Sequence, residues 1–188
     1  MSAADHRELS RETPVSCAVI TVSDTRNEDD DASGEAIKAR LRDAGHPVEF
    51  YRIVPDDGEA IRQVLLHLAG QVEVVVTTGG TGVSRRDTTV EVAERLIQKA
   101  LPGFGELFRA LSFETVGAAA MLSRATAGVY GHADGPAETL LFCCPGSTDA
   151  CALALDRLIL PDLAHVVWEV VRQAATPPPD HHLSSPLP

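Results

Sequence analysis

The chain has 188 residues, with 16 Lys+Arg against 27 Asp+Glu and a formal net charge of −11. That length fits one domain with tails, and the acidity excludes a nonspecific nucleic-acid binder, which needs a basic face. Hydrophobic residues at 44% and charged residues at 23% exclude global disorder, and no apolar run nears the roughly 18 residues of a membrane span.

Residues 1–13 are polar and charged, predicting a flexible N-terminal arm without the apolar centre of a signal peptide. Val15 to Val22 is a near-continuous apolar run, as in a strand buried on both faces. A helix is predicted over 33–44, with Ile37, Leu41 and Ala44 on one face, Ser33 as its N-cap and Gly45 as its stop. Val48 to Val54 reads as a second strand. Ile61, Val64, Leu65 and Leu68 mark a helix over 58–69, and Val72 to Thr77 reads as a third strand. Thr88 and Glu91 have the spacing of a capping box before Val92, Ala93, Leu96 and Ile97. Residues 105–112 read as helix and Thr139 to Cys144 as a fourth strand. A last helical stretch, 148–174, is expected to break at Pro161. Residues 176–188 hold five of the 12 prolines and read as a disordered tail, leaving 14–175 as the domain. Cys17, Cys143, Cys144 and Cys151 form no C-x-x-C pair and read as reduced core thiols of a cytoplasmic protein. The histidines show no zinc-site spacing.

Strands alternating with amphipathic helices predict an α/β fold with a mainly parallel sheet, whose ligands bind beyond the carboxyl ends of the strands. The residues there are Ser23-Asp24, Pro55-Asp56-Asp57, Thr78-Gly79-Gly80-Thr81-Gly82 and Pro145-Gly146-Ser147-Thr148. The glycine loop matches neither the Walker A nor the dinucleotide fingerprint. Three glycines in four residues exceed what one turn needs, and they let successive amides cradle an anion. Ser84-Arg85-Arg86-Asp87 follows, two cations and a carboxylate beside that loop. Asp57 can cap the next helix, which leaves Asp56 without an obvious structural duty. Asp56 and Asp87 can together offer oxygen ligands to Mg²⁺. Glu28-Asp29-Asp30-Asp31 reads as a solvated loop. No nucleophile elbow and no activated cysteine is apparent.

Taken in order, Val22-Ser23-Asp24-Thr25, Val54-Pro55-Asp56-Asp57, Thr77 to Gly82, Arg85-Arg86-Asp87, Pro102-Gly103-Phe104-Gly105-Glu106, Leu122-Ser123-Arg124-Ala125 and Pro145-Gly146-Ser147 resemble the MoaB/MogA molybdopterin-binding family of molybdenum cofactor biosynthesis, over about 15–170. Phe104 to Glu114 is more similar to the MoaB branch. The resemblance implies a three-layer αβα fold, a homo-oligomer (trimer or hexamer), and adenylylation of molybdopterin by ATP with Mg²⁺, releasing pyrophosphate. It implies Asp56 and Asp87 as catalytic and metal-binding residues. It implies Thr78, Gly79, Gly80, Thr81 and Gly82 as the pterin-phosphate loop and Ser123 as a site serine. Ser23, Asp24, Arg124, Pro145, Gly146 and Ser147 complete the expected substrate site, with Arg85 and Arg86 as supplementary cations. Other cofactor-biosynthesis proteins are expected partners. Asp149 stands where the family often has a lysine, and 131–138 is longer than expected. A non-catalytic molybdopterin carrier and an α/β domain for another phosphorylated ligand are the alternative readings.

Overall fold

The computed structural model describes residues 13–131 and 139–172. Residues 1–12 of the predicted arm, 132–138 of the long loop and the whole predicted tail lie outside them. The elements in chain order are β1 (Cys17–Val22), α1 (Ala32–Asp43), β2 (Val48–Val54), α2 (Gly58–Leu68), β3 (Val74–Thr78), α3 (Thr89–Leu96), β4 (Ile97–Ala100), α4 (Pro102–Val116), β5 (Thr126–Tyr130), β6 (Thr139–Cys144), α5 (Thr148–Ala154) and α6 (Leu163–Val167). The six strands form one sheet in the order β2-β1-β3-β6-β5-β4. β2, β1, β3 and β6 are parallel neighbours, and the β6–β5 and β5–β4 pairs are antiparallel.

Alternation along the central strands divides the core in two. Cys17 and Val19, Val74 and Val76, and Leu140, Phe142 and Cys144 face one layer, packed under Ile37 and Leu41 of α1, Phe104 and Phe108 of α4, and Cys151 and Ala154 of α5. Ala18, Ile20, Val75, Leu141 and Cys143 face the other, under Ile61, Val64, Leu65 and Leu68 of α2 and Val92 and Ala93 of α3. The fold is therefore three-layered, αβα, as expected.

Two strands carry no clear sequence signal. β4 has three exposed residues of four, and Thr-Ala-Gly-Val-Tyr of β5 carries too little apolar bulk to stand out. Ile97, assigned to a helix from its spacing, instead opens β4 and pairs with Tyr130. The predicted caps also change hands. Asp31 caps α1 by accepting from the Gly34 amide, so Ser33 lies inside the helix. Thr88 makes no side-chain capping bond. The last stretch leaves regular α-helix at Ala154, widens over Leu155–Ile159, and is interrupted at Pro161, as expected, by a tight 3₁₀ turn over Leu160–Asp162. Leu155, Ile159, Leu163 and Val167 are all buried and four residues apart. An ideal helix would rotate each by about 40° past the last; the wider turn over Leu155–Ile159 removes most of that drift for the first pair.

His46 is buried, and its Nδ1 accepts from the Val15 amide at 3.2 Å. Burial holds its imidazole below the usual value, outweighing the nearby Glu73. The neutral ring fits the fold, whereas the unfolded chain takes up a proton near about pH 6.5. The stability from this group is complete above that value and is lost as pH falls from there through the lower value of the folded state. Melting temperature is expected to fall between about pH 7.5 and 5.5, less steeply in His46→Gln; identical slopes would remove His46 from the effect.

Candidate functional site

Parallel pairing brings four strand ends to one edge of the sheet. The Ser23 amide donates to the Val54 carbonyl at 2.9 Å, and the Gly79 amide to the Cys144 carbonyl at 3.2 Å. These bonds stitch the loops after β1, β2, β3 and β6 together. Between the loops after β3 and β6 lies a cavity of about 360 Å³, lined by Gly79, Gly80, Thr81, Gly82, Asp87, Leu122, Ser123, Pro145, Gly146 and Ser147. All belong to the motifs quoted from the sequence, and Leu122 alone among them carries no expected site role.

The glycine loop is shaped by two left-handed residues, Gly79 at φ 101° and Gly80 at φ 65°. A Cβ on Gly79 would sit 2.3 Å from the Val22 carbonyl oxygen, and one on Gly80 2.1 Å from Thr89 Oγ1. Only glycine fits both places. The loop's carbonyls are held from outside. Gly79 O accepts from Thr89 Oγ1 at 3.0 Å, Gly80 O from the Thr89 amide at 3.1 Å, and Thr81 O from the Arg124 amide at 3.0 Å. In a trans peptide the next N–H points opposite to the carbonyl. Fixing these three carbonyls therefore fixes the amides of Gly80, Thr81 and Gly82. Those amides donate to no group among the described residues. The Gly79 amide, expected to join them, is already bonded to Cys144.

Thr78 stands below the loop, fully buried, and its hydroxyl donates to the Pro145 carbonyl at 2.8 Å. It ties two loops together rather than lining the cavity. Arg124 likewise turns away from the role of a ligand cation. Its guanidinium donates to the Gly82 carbonyl at 2.6 Å and the Asp87 carbonyl at 3.0 Å, and pairs with Glu91. It braces the glycine loop against the start of α3. Glu91, half of the expected capping box, is instead Arg124's partner.

Asp87 lines the cavity, and its Oδ2 accepts from the Ser84 amide at 2.7 Å. Asp56 is half-buried beside it, and its Oδ1 accepts from Thr88 Oγ1 at 3.1 Å and the Thr88 amide at 3.3 Å. Thr88 thus spends its hydroxyl on Asp56, which has a structural partner after all. Burial pushes the Asp56 carboxyl above the usual range; the Thr88 hydrogen bonds oppose this, and the charges of Asp87 and Asp24 add to it. Asp24 accepts from the Asp56 amide at 3.0 Å and from Arg86 at 2.7 Å. Ser23 and Asp24 line a neighbouring groove of about 500 Å³, with Arg26 and Arg52. Arg85 is exposed and lines neither the cavity nor this groove. Ser123 is at the cavity's edge, its hydroxyl accepting from the Ala125 amide at 3.3 Å.

Among the described residues, no group of three or more His, Cys, Asp and Glu side chains is placed to hold a metal ion. The Asp56–Asp87 pair supplies two hard oxygen donors, and its mutual repulsion suits a divalent cation whose remaining ligands come from substrate and water. Among the described residues no helix is long and apolar enough to cross a membrane. Sequence reasoning misses Arg26, Asp31 and Leu122 as site residues. A lone arginine in a polar loop carries no periodic signal, and Asp31 is indistinguishable in sequence from its solvated neighbours.

Residues 18–165 match the family described as "Probable molybdopterin binding domain". The chain belongs to the molybdopterin-binding family of molybdenum cofactor biosynthesis. It is 43% identical over 176 residues to molybdenum cofactor biosynthesis protein B of Bacillus cereus, covering 92% of this chain and 100% of that one. It is 44% identical over 173 residues to the protein of the same name from Bacillus subtilis, covering 90% and 98%. Among solved structures, the tungsten cofactor synthesizing protein MoaB of Pyrococcus furiosus superposes with a TM-score of 0.73 at 38% identity, covering 84% of this chain and 98% of that one. The matched span contains every residue that lines the cavity at the glycine loop.

Proposed function

We propose that the protein binds molybdopterin at the glycine-loop cavity and transfers AMP to it from ATP, giving adenylylated molybdopterin and pyrophosphate. The carrying observation is the set of three amides, Gly80, Thr81 and Gly82, whose carbonyls are all held from behind. That arrangement suits a phosphate in an acidic protein, because it supplies positive dipoles without a cationic side chain. An oxygen of molybdopterin's terminal phosphate attacks the α-phosphorus of ATP; the new P–O bond forms as the bond to pyrophosphate breaks. Such transfer depends mainly on positioning and charge neutralisation. Asp56 and Asp87 would hold Mg²⁺, which supplies charge neutralisation between the two anions. Gly80 to Gly82 orient the attacking phosphate, Ser123, Gly146 and Ser147 close the cavity, and Thr88 keeps the Asp56 carboxylate in place.

The test is pyrophosphate release from protein, ATP, Mg²⁺ and molybdopterin. Release that requires molybdopterin is expected. Molybdopterin binding without release would leave a carrier, and tight binding of only another phosphorylated compound would move the assignment outside this chemistry. A cytoplasmic location is part of the same reading, supported by four buried cysteines in thiol form.

A closed homo-oligomer, trimer or hexamer, also belongs to this reading. Of the described apolar residues near the C-terminus, Val167 is fully buried, Val166, Val170 and Val171 pack on the chain's own core, and Trp168 alone is exposed. Support comes instead from Leu107, Phe113, Val116, Met121 and Leu122, all more than half exposed on α4 and the short helical segment after it. Sedimentation at micromolar concentration is expected to show an oligomer, and Phe113→Lys or Met121→Lys to shift it toward monomer. A wild-type monomer would refute it.

A further inference from the structure

Opposite the glycine loop, the cavity wall is the turn Pro145-Gly146-Ser147. A Cβ on Gly146 would lie 3.5 Å from the Gly79 Cα, so the two loops are nearly in contact and a small shift of this turn changes the cavity's width. All three of its carbonyls are held from outside the cavity, Ser147 O by the Cys151 amide at 3.0 Å. Pro145 O accepts from Thr78 Oγ1 at 2.8 Å and is 3.1 Å from Cys151 Sγ. Gly146 O accepts from Arg26 Nη2 at 3.1 Å and from Ser33 Oγ at 3.2 Å.

Arg26 is itself anchored. Its Nη1 donates to Ser33 Oγ and to Asp31 Oδ1 at 3.3 Å. Asp31 is 1% exposed and accepts from Thr21 Oγ1 at 2.5 Å, Tyr51 Oη at 2.7 Å and the Gly34 amide at 3.0 Å, with Ser33 Oγ a longer donor at 3.4 Å. Those bonds hold its carboxyl below the usual range although burial alone would raise it. A fixed, ionised carboxylate on the sheet thus aims a guanidinium at one peptide of the cavity wall. A planar fork can bridge Asp31, Ser33 and Gly146 at once, which a lysine cannot.

We infer that Arg26 is a positioning residue of the cavity, holding the Pro145–Ser147 wall at its working distance from the glycine loop. The inference rests on the molybdopterin reading for its ligand, and on the structure alone for the wall. Arg26 does not line the main cavity and acts through Gly146.

The test uses the full chain with Arg26→Ala, Arg26→Lys and Ser33→Ala, and Tyr51→Phe as a control that trims the Asp31 anchor without touching Gly146. Cys151 reports on the wall without any ligand, because it is fully buried beneath Pro145. Its labelling by a thiol reagent, read by peptide mass against Cys17, is expected to quicken roughly tenfold in Arg26→Ala and less in Ser33→Ala, and to stay unchanged in Tyr51→Phe. Molybdopterin affinity, measured well below each variant's melting temperature, is expected to weaken roughly tenfold in Arg26→Ala and to recover only in part in Arg26→Lys. Wild-type labelling in Arg26→Ala and Ser33→Ala would overturn the inference. So would faster labelling with wild-type affinity, because the wall would then move without consequence. If the wild-type protein binds no molybdopterin, the functional reading fails while the labelling still decides whether Arg26 holds the wall.

Discussion

Asp87→Asn is expected to fold normally and to lose about a hundredfold or more in pyrophosphate release, roughly 2.7 kcal/mol of transition-state stabilisation. Asparagine keeps an oxygen for the Ser84 amide, so the turn that Asp87 closes survives. What disappears is the negative charge at the cavity wall beside Gly82. Molybdopterin affinity should change little, because the Gly80, Thr81 and Gly82 amides are untouched. Asp56→Asn sharpens the comparison. Its carboxylate is half-buried and faces the charges of Asp87 and Asp24, an arrangement that costs stability. That variant is expected to melt at or above the wild-type temperature while losing release, the pattern of a site that trades stability for chemistry. Melting temperature, molybdopterin affinity and release measured on one preparation decide it. Near wild-type release in both variants would end the metal-site reading, and reduced stability with normal release per folded molecule would make Asp87 a turn residue.

Gly79→Ala should give the largest loss of stability. Its φ of 101° is one that an L side chain resists, at about 1–3 kcal/mol. Its new methyl would also meet the Val22 carbonyl oxygen, which is backbone and cannot rotate away. At about 2–4 °C per kcal/mol for a chain of this size, a drop of about 10 °C is expected. Gly45→Ala separates the two causes. Gly45 has a similar φ of 84°, but a Cβ there has nothing within 4 Å, so only the backbone strain remains. Equal losses in the two variants would show that the close approach to Val22 contributes nothing.

The sequence is most readable where one force dominates. Strands buried on both faces stand out as apolar runs, and β1, β3 and β6 are legible in that way. The glycine loop is legible because three glycines in four residues exceed what one turn needs, and two of them take left-handed φ against close neighbours. Legibility drops where two forces compete. Thr88 has cap spacing, but a half-buried carboxylate nearby takes its hydroxyl, and nothing local in the sequence announces Asp56, 32 residues earlier. Ser33 loses the cap to Asp31 for a similar reason: the cap residue also serves Thr21 and Tyr51 on neighbouring strands. Arg124 reads as a free cation because a sequence does not show which carbonyls will surround it. Arg26 reaches Gly146 across 120 positions, a contact with no local trace.

The change from parallel to antiparallel pairing between β6 and β5 has a consequence for how the protein can vary. Cys144 at the end of β6 borders the cavity edge, whereas Thr139 at its start pairs with Tyr130 at the end of β5. Tyr130 and Thr139 therefore lie at the opposite rim of the sheet, about 17 Å of strand from the cavity edge. Changes at that rim are expected to leave the cavity's geometry intact, because no cavity-lining residue belongs to it. For an experimenter, the same rim is the natural place to graft a reporter peptide or a fluorophore, since a label there reads the protein without sitting in its chemistry.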